Sequence, residues 1–476
     1  MEKYNLPELN KARKRINKEN VVLEFALEDK YLHLGANKSY VLYTFGCQGN
    51  EADSEKIEGI MKLLDFTKTD DELSASVIIM NTCAIRETAE NKVYGELGRL
   101  KGIKKNNKNV KIAVCGCMPQ EEVTVERILK TYRNVDIVFG THNISNLPKY
   151  LYDAFNKEEK VVDIMSFEGN IVEDIPLVRE NAKKAWVNIM YGCDEFCTYC
   201  IVPYTRGKER SRPKDKIIKE VLELVNNGYK EVTLLGQNVN SYGKDFINQN
   251  YEFSNLLEDL AKTNIARIRF TTSHPKDFDD KLIDIISKYP NIMPHIHLPV
   301  QSGSTKVLTK MNRKYTKEQY LDLVDRIYAK IPEVSLTTDI IVAFPFEERE
   351  DFEQTLDLVR RCHFEGAFTF IFSPRKGTPA YNYENTIPEE EKKARLQKLN
   401  EIVNEGYLQG NMRFKDKIVK VLIEGKSKND ENKLMGYSEH NKLVNVVGNV
   451  KYIGEIVSVK ITEVHTWSMN GEMVSE

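Results

Sequence analysis

The stretch Ala185-Trp186-Val187-Asn188-Ile189-Met190-Tyr191-Gly192-Cys193-Asp194-Glu195-Phe196-Cys197-Thr198-Tyr199-Cys200 runs an apolar strand straight into three cysteines. Three thiolates can hold three irons of a four-iron cluster, whose usual complement is four cysteines. The fourth iron is then open to the amino and carboxylate groups of an amino-acid cofactor. The other uses of such cysteines are a zinc site or buried packing. Zinc sites ordinarily show paired C-x-x-C units or histidine partners, and no histidine stands near these three in sequence. A loop that follows a strand of a βα barrel lies at the C-terminal face, where such barrels carry their chemistry.

Downstream, apolar runs read as strands at 186–190, 232–235, 267–271, 295–300, 334–342 and 368–372. Helical periodicity fills the gaps at 213–226, 253–263, 279–288, 303–311, 316–330 and 349–362, and a charged helix at 388–406 closes the series. Six βα units predict a partial, TIM-like (β/α)6 barrel rather than a closed eightfold one. Upstream, strands at 39–45, 76–80, 111–115 and 135–139 alternate with helices at 53–64, 88–100 and 120–130. That alternation predicts a doubly wound parallel sheet. After Phe414, the segments 417–424, 443–447 and 455–464 alternate apolar and polar residues, with Gly425, Gly436, Gly448 and Gly454 at the expected turns. They predict a small antiparallel β-barrel. The expected fold is therefore α/β, with the doubly wound sheet at 39–155, the partial barrel at 179–410 and the small barrel at 412–475. A leader, 1–38, carries a short apolar patch at 21–23 and no assigned function.

Cys47, Cys83 and Cys117 are far apart in the chain, yet each falls just beyond the C-terminal end of a predicted parallel strand. In a doubly wound sheet those ends converge on one crevice. Singly, each reads as a packing thiol; together they make a second three-cysteine site. Of the remaining two among the eight cysteines, Cys115 could point the same way as Cys117 by strand alternation, and Cys362 sits on an amphipathic helix as core.

Arg206, Lys208, Arg210, Arg212, Lys214 and Lys216 follow the cluster loop directly. Cations at an active-site mouth can hold nucleic-acid phosphates; a solvated helix face explains the same run equally well. The whole chain carries a formal charge of only −2 over 476 residues, so it is no general polycation, and nucleic-acid contact would rest on local patches. No apolar stretch reaches bilayer length. The charged start (Lys11, Arg13, Lys14, Arg15) lacks a following apolar run. A cytoplasmic protein without membrane contact is expected.

The run Gly192 to Gly207, ending Ile201-Val202-Pro203-Tyr204-Thr205-Arg206-Gly207, resembles the radical S-adenosylmethionine (SAM) loop of the methylthiotransferases, closest to the MiaB-type tRNA-modifying branch. Gly236-Gln237-Asn238-Val239-Asn240-Ser241-Tyr242-Gly243, Thr272-Ser273-His274-Pro275 and Pro299-Val300-Gln301-Ser302-Gly303-Ser304 also match family segments, each at the C-terminal end of a predicted barrel strand. Gly46-Cys47-Gln48, Asn81-Thr82-Cys83 with Ile85-Arg86, and Gly116-Cys117-Met118 are similar to the family's N-terminal domain. Gly425-Lys426-Ser427, Asn441-Lys442-Leu443-Val444-Asn445 and Ile461-Thr462-Glu463-Val464-His465-Thr466-Trp467 look like a TRAM RNA-binding barrel. One segment departs: the family's usual Gly-Phe-Pro-Gly-Glu-Thr is here Ala343-Phe344-Pro345-Phe346-Glu347-Glu348. Where that backbone needs φ > 0, both replacements are unfavourable.

The resemblance implies two [4Fe–4S] clusters and SAM. Cys193, Cys197 and Cys200 would hold one cluster, and Cys47, Cys83 and Cys117 a sulfur-supplying auxiliary one, with Cys115 left as packing because the family ligand follows the glycine. Gln237, Asn238, Ser273, His274, Gln301 and Ser302 are the candidates for cofactor contact, and Arg206, Lys208, Arg210 and Arg212 for RNA. The implied reaction uses a 5′-deoxyadenosyl radical to replace the C2 hydrogen of N6-isopentenyladenosine-37 in a tRNA anticodon loop with a methylthio group. It implies an electron donor such as a flavodoxin or ferredoxin, and a monomer is expected. Threonylcarbamoyladenosine-37 and an aspartate on a ribosomal protein are alternative substrates. A non-catalytic iron–sulfur RNA-binding protein is an alternative of another class.

Overall fold

The computed structural model describes residues 20–474 apart from 85–86, 158, 165–169, 180, 182 and 429. The cationic start of the leader and Ile85-Arg86 lie outside those residues. Of the leader, Val22–Glu24 forms a strand that pairs in parallel with Ile171–Glu173.

The N-terminal unit is a wholly parallel sheet in the order Thr67–Lys68, Ser39–Phe45, Val77–Thr82, Lys111–Gly116, Ile137–Phe139, Val161–Asp163. Val77–Thr82 is buried along its whole length, as a central parallel strand covered on both faces must be. Ile57, Ile60 and Met61 of helix Gln48–Leu63 cover one face of the sheet; Val93, Leu97 and Leu100 of helix Glu87–Asn106 cover the other. Strand order reverses between Ser39–Phe45 and Val77–Thr82, and that reversal opens the crevice in which doubly wound folds bind their ligands. The four expected strands are present. The two additional ones are edge strands of two and three residues, too short to show periodicity. The helix expected from 53 begins at Gln48, because the Asn50 side chain closes a capping box with Cys47.

The central unit has six parallel strands in two three-stranded sheets. Lys184–Asn188, Glu231–Leu235 and Arg267–Phe270 make one; His295–His297, Ser335–Val342 and Ala367–Ile371 make the other; a bridge between Ile268 and Ile292 joins them. The wall stays open between its first and last strands, as a six-unit barrel must. Ala185, Val187, Leu336, Ile340 and Val342 face outward into the helices. Strand alternation then turns Thr337, Asp339 and Ile341 inward, and register brings Phe368 beside Asp339 and Phe370 beside Ile341 on that inner face.

The C-terminal unit is a closed barrel of five strands: Ile418–Lys426, Lys433–Ser438, Leu443–Val447, Met469–Met473 and Ile456–Val464. Four seams are antiparallel, and the seam between Leu443–Val447 and Met469–Met473 is parallel. Two of these strands escape the sequence pattern. Gly436 lies inside one of them rather than at a turn, since a Cβ there would stand 2.1 Å from the Leu422 carbonyl oxygen. Gly425 likewise lies in a strand, beside a register shift. The barrel docks under the N-terminal ends of the central strands. Arg267 donates to the carbonyls of Tyr437 (2.9 Å) and Lys420 (2.8 Å), and Arg269 to those of Ser438 (2.7 Å) and Glu439 (3.0 Å).

Candidate active site

The cysteine loop leaves the first central strand at Gly192, which has φ +78°; a Cβ there would stand 1.9 Å from the Lys208 carbonyl oxygen. That close approach lets the Cys193 N–H reach the Gly207 carbonyl at 3.1 Å. Neighbouring elements fix the rest of the loop. Asn312 donates to the carbonyls of Glu195 and Phe196. The Thr198 N–H reaches the Met311 carbonyl at 3.0 Å, and Arg313 approaches Cys197 Sγ at 3.4 Å. Burial pushes the Cys200 thiol up to about 12, and burial likewise raises Cys193, with the other two sulfurs of the triad adding to it. Raised thiols gathered on one loop suit a cation-rich group that takes them as thiolates.

The cofactor candidates fall into two sets. Gln237 accepts the Gly192 N–H at 2.6 Å and so holds the loop. Asn238, Ser273 and His274 are buried, and Asn238 Oδ1, Ser273 Oγ and His274 Nε2 have no hydrogen-bond partner among the described residues. His274 sits 4.0 Å from the Glu195 carboxylate of the cysteine loop, and burial depresses its pKa, so it faces the site as a neutral ring. Three orphaned polar atoms beside the loop are what a polar, zwitterionic cofactor would satisfy. Gln301 adopts φ +70° at its strand end. Ser302 instead turns toward the helix Arg349–Cys362, where its Oγ meets Thr355 Oγ1 at 3.4 Å.

Cys47, Cys83 and Cys117 come together at the reversal of the N-terminal sheet. A hydrogen bond with the Cys83 thiol, helped by the Arg206 charge against the effect of burial, brings Cys47 down to about 5. Burial raises Cys117 to about 11. Asn50 and Asn81 brace the strand ends: Asn50 Nδ2 donates to the Thr82 carbonyl (3.2 Å), and Asn81 Nδ2 to the Asn50 carbonyl (2.8 Å). Cys115 points the other way, into the core with Ile57 and Phe139, and Cys362 is core as well. Among the described residues, no three cysteine, histidine or carboxylate groups converge on a single-ion site; a cube takes one thiolate per iron, at separate corners. The two triads are neighbours. Ile201 and Tyr204, just after Cys200, pack on Ala84 and Cys117, and Phe196 of the loop meets the Tyr204 ring edge-on at 5.8 Å.

Three of the four basic residues expected to meet RNA turn inward. Arg206, Arg210 and Arg212 are buried. Arg206 pairs with Asp53 at 2.7 Å, and Arg212 with Glu173 at 2.6 Å and Glu220 at 2.8 Å. Arg210 donates to the Arg206 carbonyl at 3.0 Å. Lys208 is half-buried. The run turns inward because Arg206 and Arg212 find acids inside the protein and Arg210 a backbone carbonyl. Sequence reading missed Asp53, Asn312 and Arg313; nothing in a single chain marks residues that act on a loop more than a hundred positions away.

An incomplete parallel barrel with a three-cysteine loop at its C-terminal face defines the class as a radical SAM enzyme, and the Radical SAM superfamily model matches residues 187–359. The models named Uncharacterized protein family UPF0004 and TRAM domain match residues 39–140 and 413–474. The chain is 55% identical over 475 residues to the tRNA-2-methylthio-N(6)-dimethylallyladenosine synthase of Bacillus cytotoxicus, covering 99% of this chain and 93% of that one. It is 53% identical over 472 residues to the enzyme of that name from Geobacillus kaustophilus, covering 99% and 89%. The chain belongs to the tRNA-2-methylthio-N(6)-dimethylallyladenosine synthase family. A solved radical SAM methyltransferase, TsrM from Kitasatospora setae, is similar in fold (TM-score 0.52, 13% identity, 70% of this chain and 72% of that one).

Proposed function

We propose that the chain methylthiolates C2 of N6-isopentenyladenosine-37 in tRNA, with Cys193, Cys197 and Cys200 holding one [4Fe–4S] cluster and Cys47, Cys83 and Cys117 a second. The observation that carries the reading is the adjacency of two three-thiol sites on separate units, meeting across Ile201 and Tyr204. An aromatic C–H has no acid–base route at neutral pH, so when bound the clusters and SAM supply the radical and the sulfur. The protein's share is to bind, orient and exclude water. Gln237, Asn312 and Arg313 fix the cysteine loop. Asn238, Ser273 and His274 offer their orphaned atoms to SAM, Gln301 is a further candidate contact, and Ser302 is held by Thr355. The adenine enters through the open side of the wall, unstacked from its loop. Phe368 and Phe370, exposed on the inner face, receive it by stacking, and the TRAM barrel contributes RNA affinity. We assign the units to 39–155, 179–410 and 412–475, and the chain to the cytoplasm as a monomer supplied by a flavodoxin- or ferredoxin-type donor; no helix among the described residues is long and apolar enough to cross a membrane.

The test is anaerobic reconstitution followed by mass spectrometry of nucleosides from treated tRNA. About eight irons per chain and a methylthio-isopentenyladenosine product are expected. A product only on threonylcarbamoyladenosine would move the substrate to the alternative, and RNA binding without SAM cleavage would remove the catalytic reading.

A further inference from the structure

Arg206 belongs to the cysteine loop of the central unit, at the C-cap of the short helix Val202–Thr205, yet its side chain ends in the N-terminal three-cysteine crevice. Its Nε donates to Cys117 Sγ at 3.0 Å, and Nη1 lies 2.7 Å from Asp53 Oδ2. Nη2 faces Cys47 across Gly49: a Cβ on that glycine would touch Cys47 Sγ at 3.6 Å and Nη2 at 3.7 Å. A guanidinium does not lose its proton in a protein. Burying one costs several kcal/mol unless an anion is paired with it, and here Asp53 is, with the Cys47 and Cys117 sulfurs beside it. The crevice thus receives its fixed positive charge from the other unit, through the same loop that carries Cys193, Cys197 and Cys200.

We infer that Arg206 is a positioning residue of the N-terminal site: it hydrogen-bonds Cys117, faces Cys47 and sets the charge against which the iron–sulfur group held there is reduced. The inference rests on Cys47, Cys83 and Cys117 being ligands of that group. Hydrogen bonds to sulfur and nearby net charge are among the levers that set a cluster's reduction potential. A cation favours the reduced, more negative state, so its loss lowers the potential; loss of Asp53 raises it.

The experiment uses the full chain with Cys193, Cys197 and Cys200 all replaced by alanine, reconstituted anaerobically, with the potential followed by EPR. Should this chain hold no iron, the assignment of Cys47, Cys83 and Cys117 falls whatever Arg206 does. With about four irons retained, Arg206→Gln is expected to lower the midpoint potential, Arg206→Lys to restore part of it, and Asp53→Asn to raise it. Unchanged potentials in Arg206→Gln and Asp53→Asn overturn the inference. If Arg206→Gln cannot keep its iron, Asp53→Asn decides alone: a raised potential supports the role and an unmoved one rejects it.

Discussion

Ala343 and Phe346 hold left-handed backbone, at φ +56° and +74°, where the family's usual segment has glycine. Side chains there cost about 1–2 kcal/mol per residue. The conformation persists because Glu347 takes the Ala343 N–H at 2.6 Å and is itself held by Arg395 at 2.8 Å. Ala343→Gly should therefore raise stability by about 1 kcal/mol, read as a higher midpoint in chemical denaturation; a lower midpoint would mean that the methyl's packing outweighs the strain. Glu121 stores a different kind of cost. Burial, with Glu90 adding, raises its carboxyl from 4.5 to about 8. Between those values the folded chain binds more protons than the unfolded one, so stability falls as pH rises through that window and the loss is complete above it. Glu121→Gln is expected to stabilise the chain above pH 8 and to lose that advantage toward pH 4.5, as denaturation midpoints at both ends would show.

Strand ends made the site readable from sequence. Parallel strands bring all their C-terminal ends to one edge, so Cys47, Cys83 and Cys117 could be grouped without knowing strand order. The same rule put the cysteine loop at the open face. What escaped were contacts whose partners lie on other elements. The charge of Arg206 and Arg212 was visible, but Asp53, Glu173 and Glu220, which neutralise it, belong to three different elements. The strands Lys433–Ser438 and Met469–Met473 were hidden because Gly436 and Gly471 interrupt their alternation. At this scale the two triads make separable predictions. Cys193→Ala should abolish SAM cleavage. Cys83→Ala should leave most of it while stopping methylthio product; full product from Cys83→Ala would exclude the N-terminal triad as the sulfur site. Gln237→Ala removes the hydrogen bond to Gly192, about 1 kcal/mol of loop stability, and should speed iron loss from the central site several-fold in a chelator chase.

The docking of the small barrel changes what truncation can reveal. Arg267 and Arg269 are buried and donate to four of its carbonyls. From the other direction, Lys442 and Arg413 reach the Glu365 carboxylate at 2.9 and 2.8 Å. Deleting 412–476 would take four carbonyl acceptors from Arg267 and Arg269, which keep only Glu231, and both cations from the buried Glu365 carboxylate. Leaving one partner of such a pair buried and alone costs about 3–5 kcal/mol. That is a large part of the roughly 5–15 kcal/mol that holds a domain folded. The truncated chain should melt well below the intact one, and any loss of tRNA affinity in it would mix RNA contact with damage to the central wall. Trp467 separates the two. It is 69% exposed, on the loop joining the last two strands. Base stacking on such a ring is worth about 1–3 kcal/mol. Trp467→Ala should weaken tRNA binding roughly tenfold while leaving the melting temperature unchanged. Unaltered affinity would move the RNA contact to another face of the barrel. A truncated chain that melted with the intact one would show the barrel to be an appendage rather than the floor of the central unit.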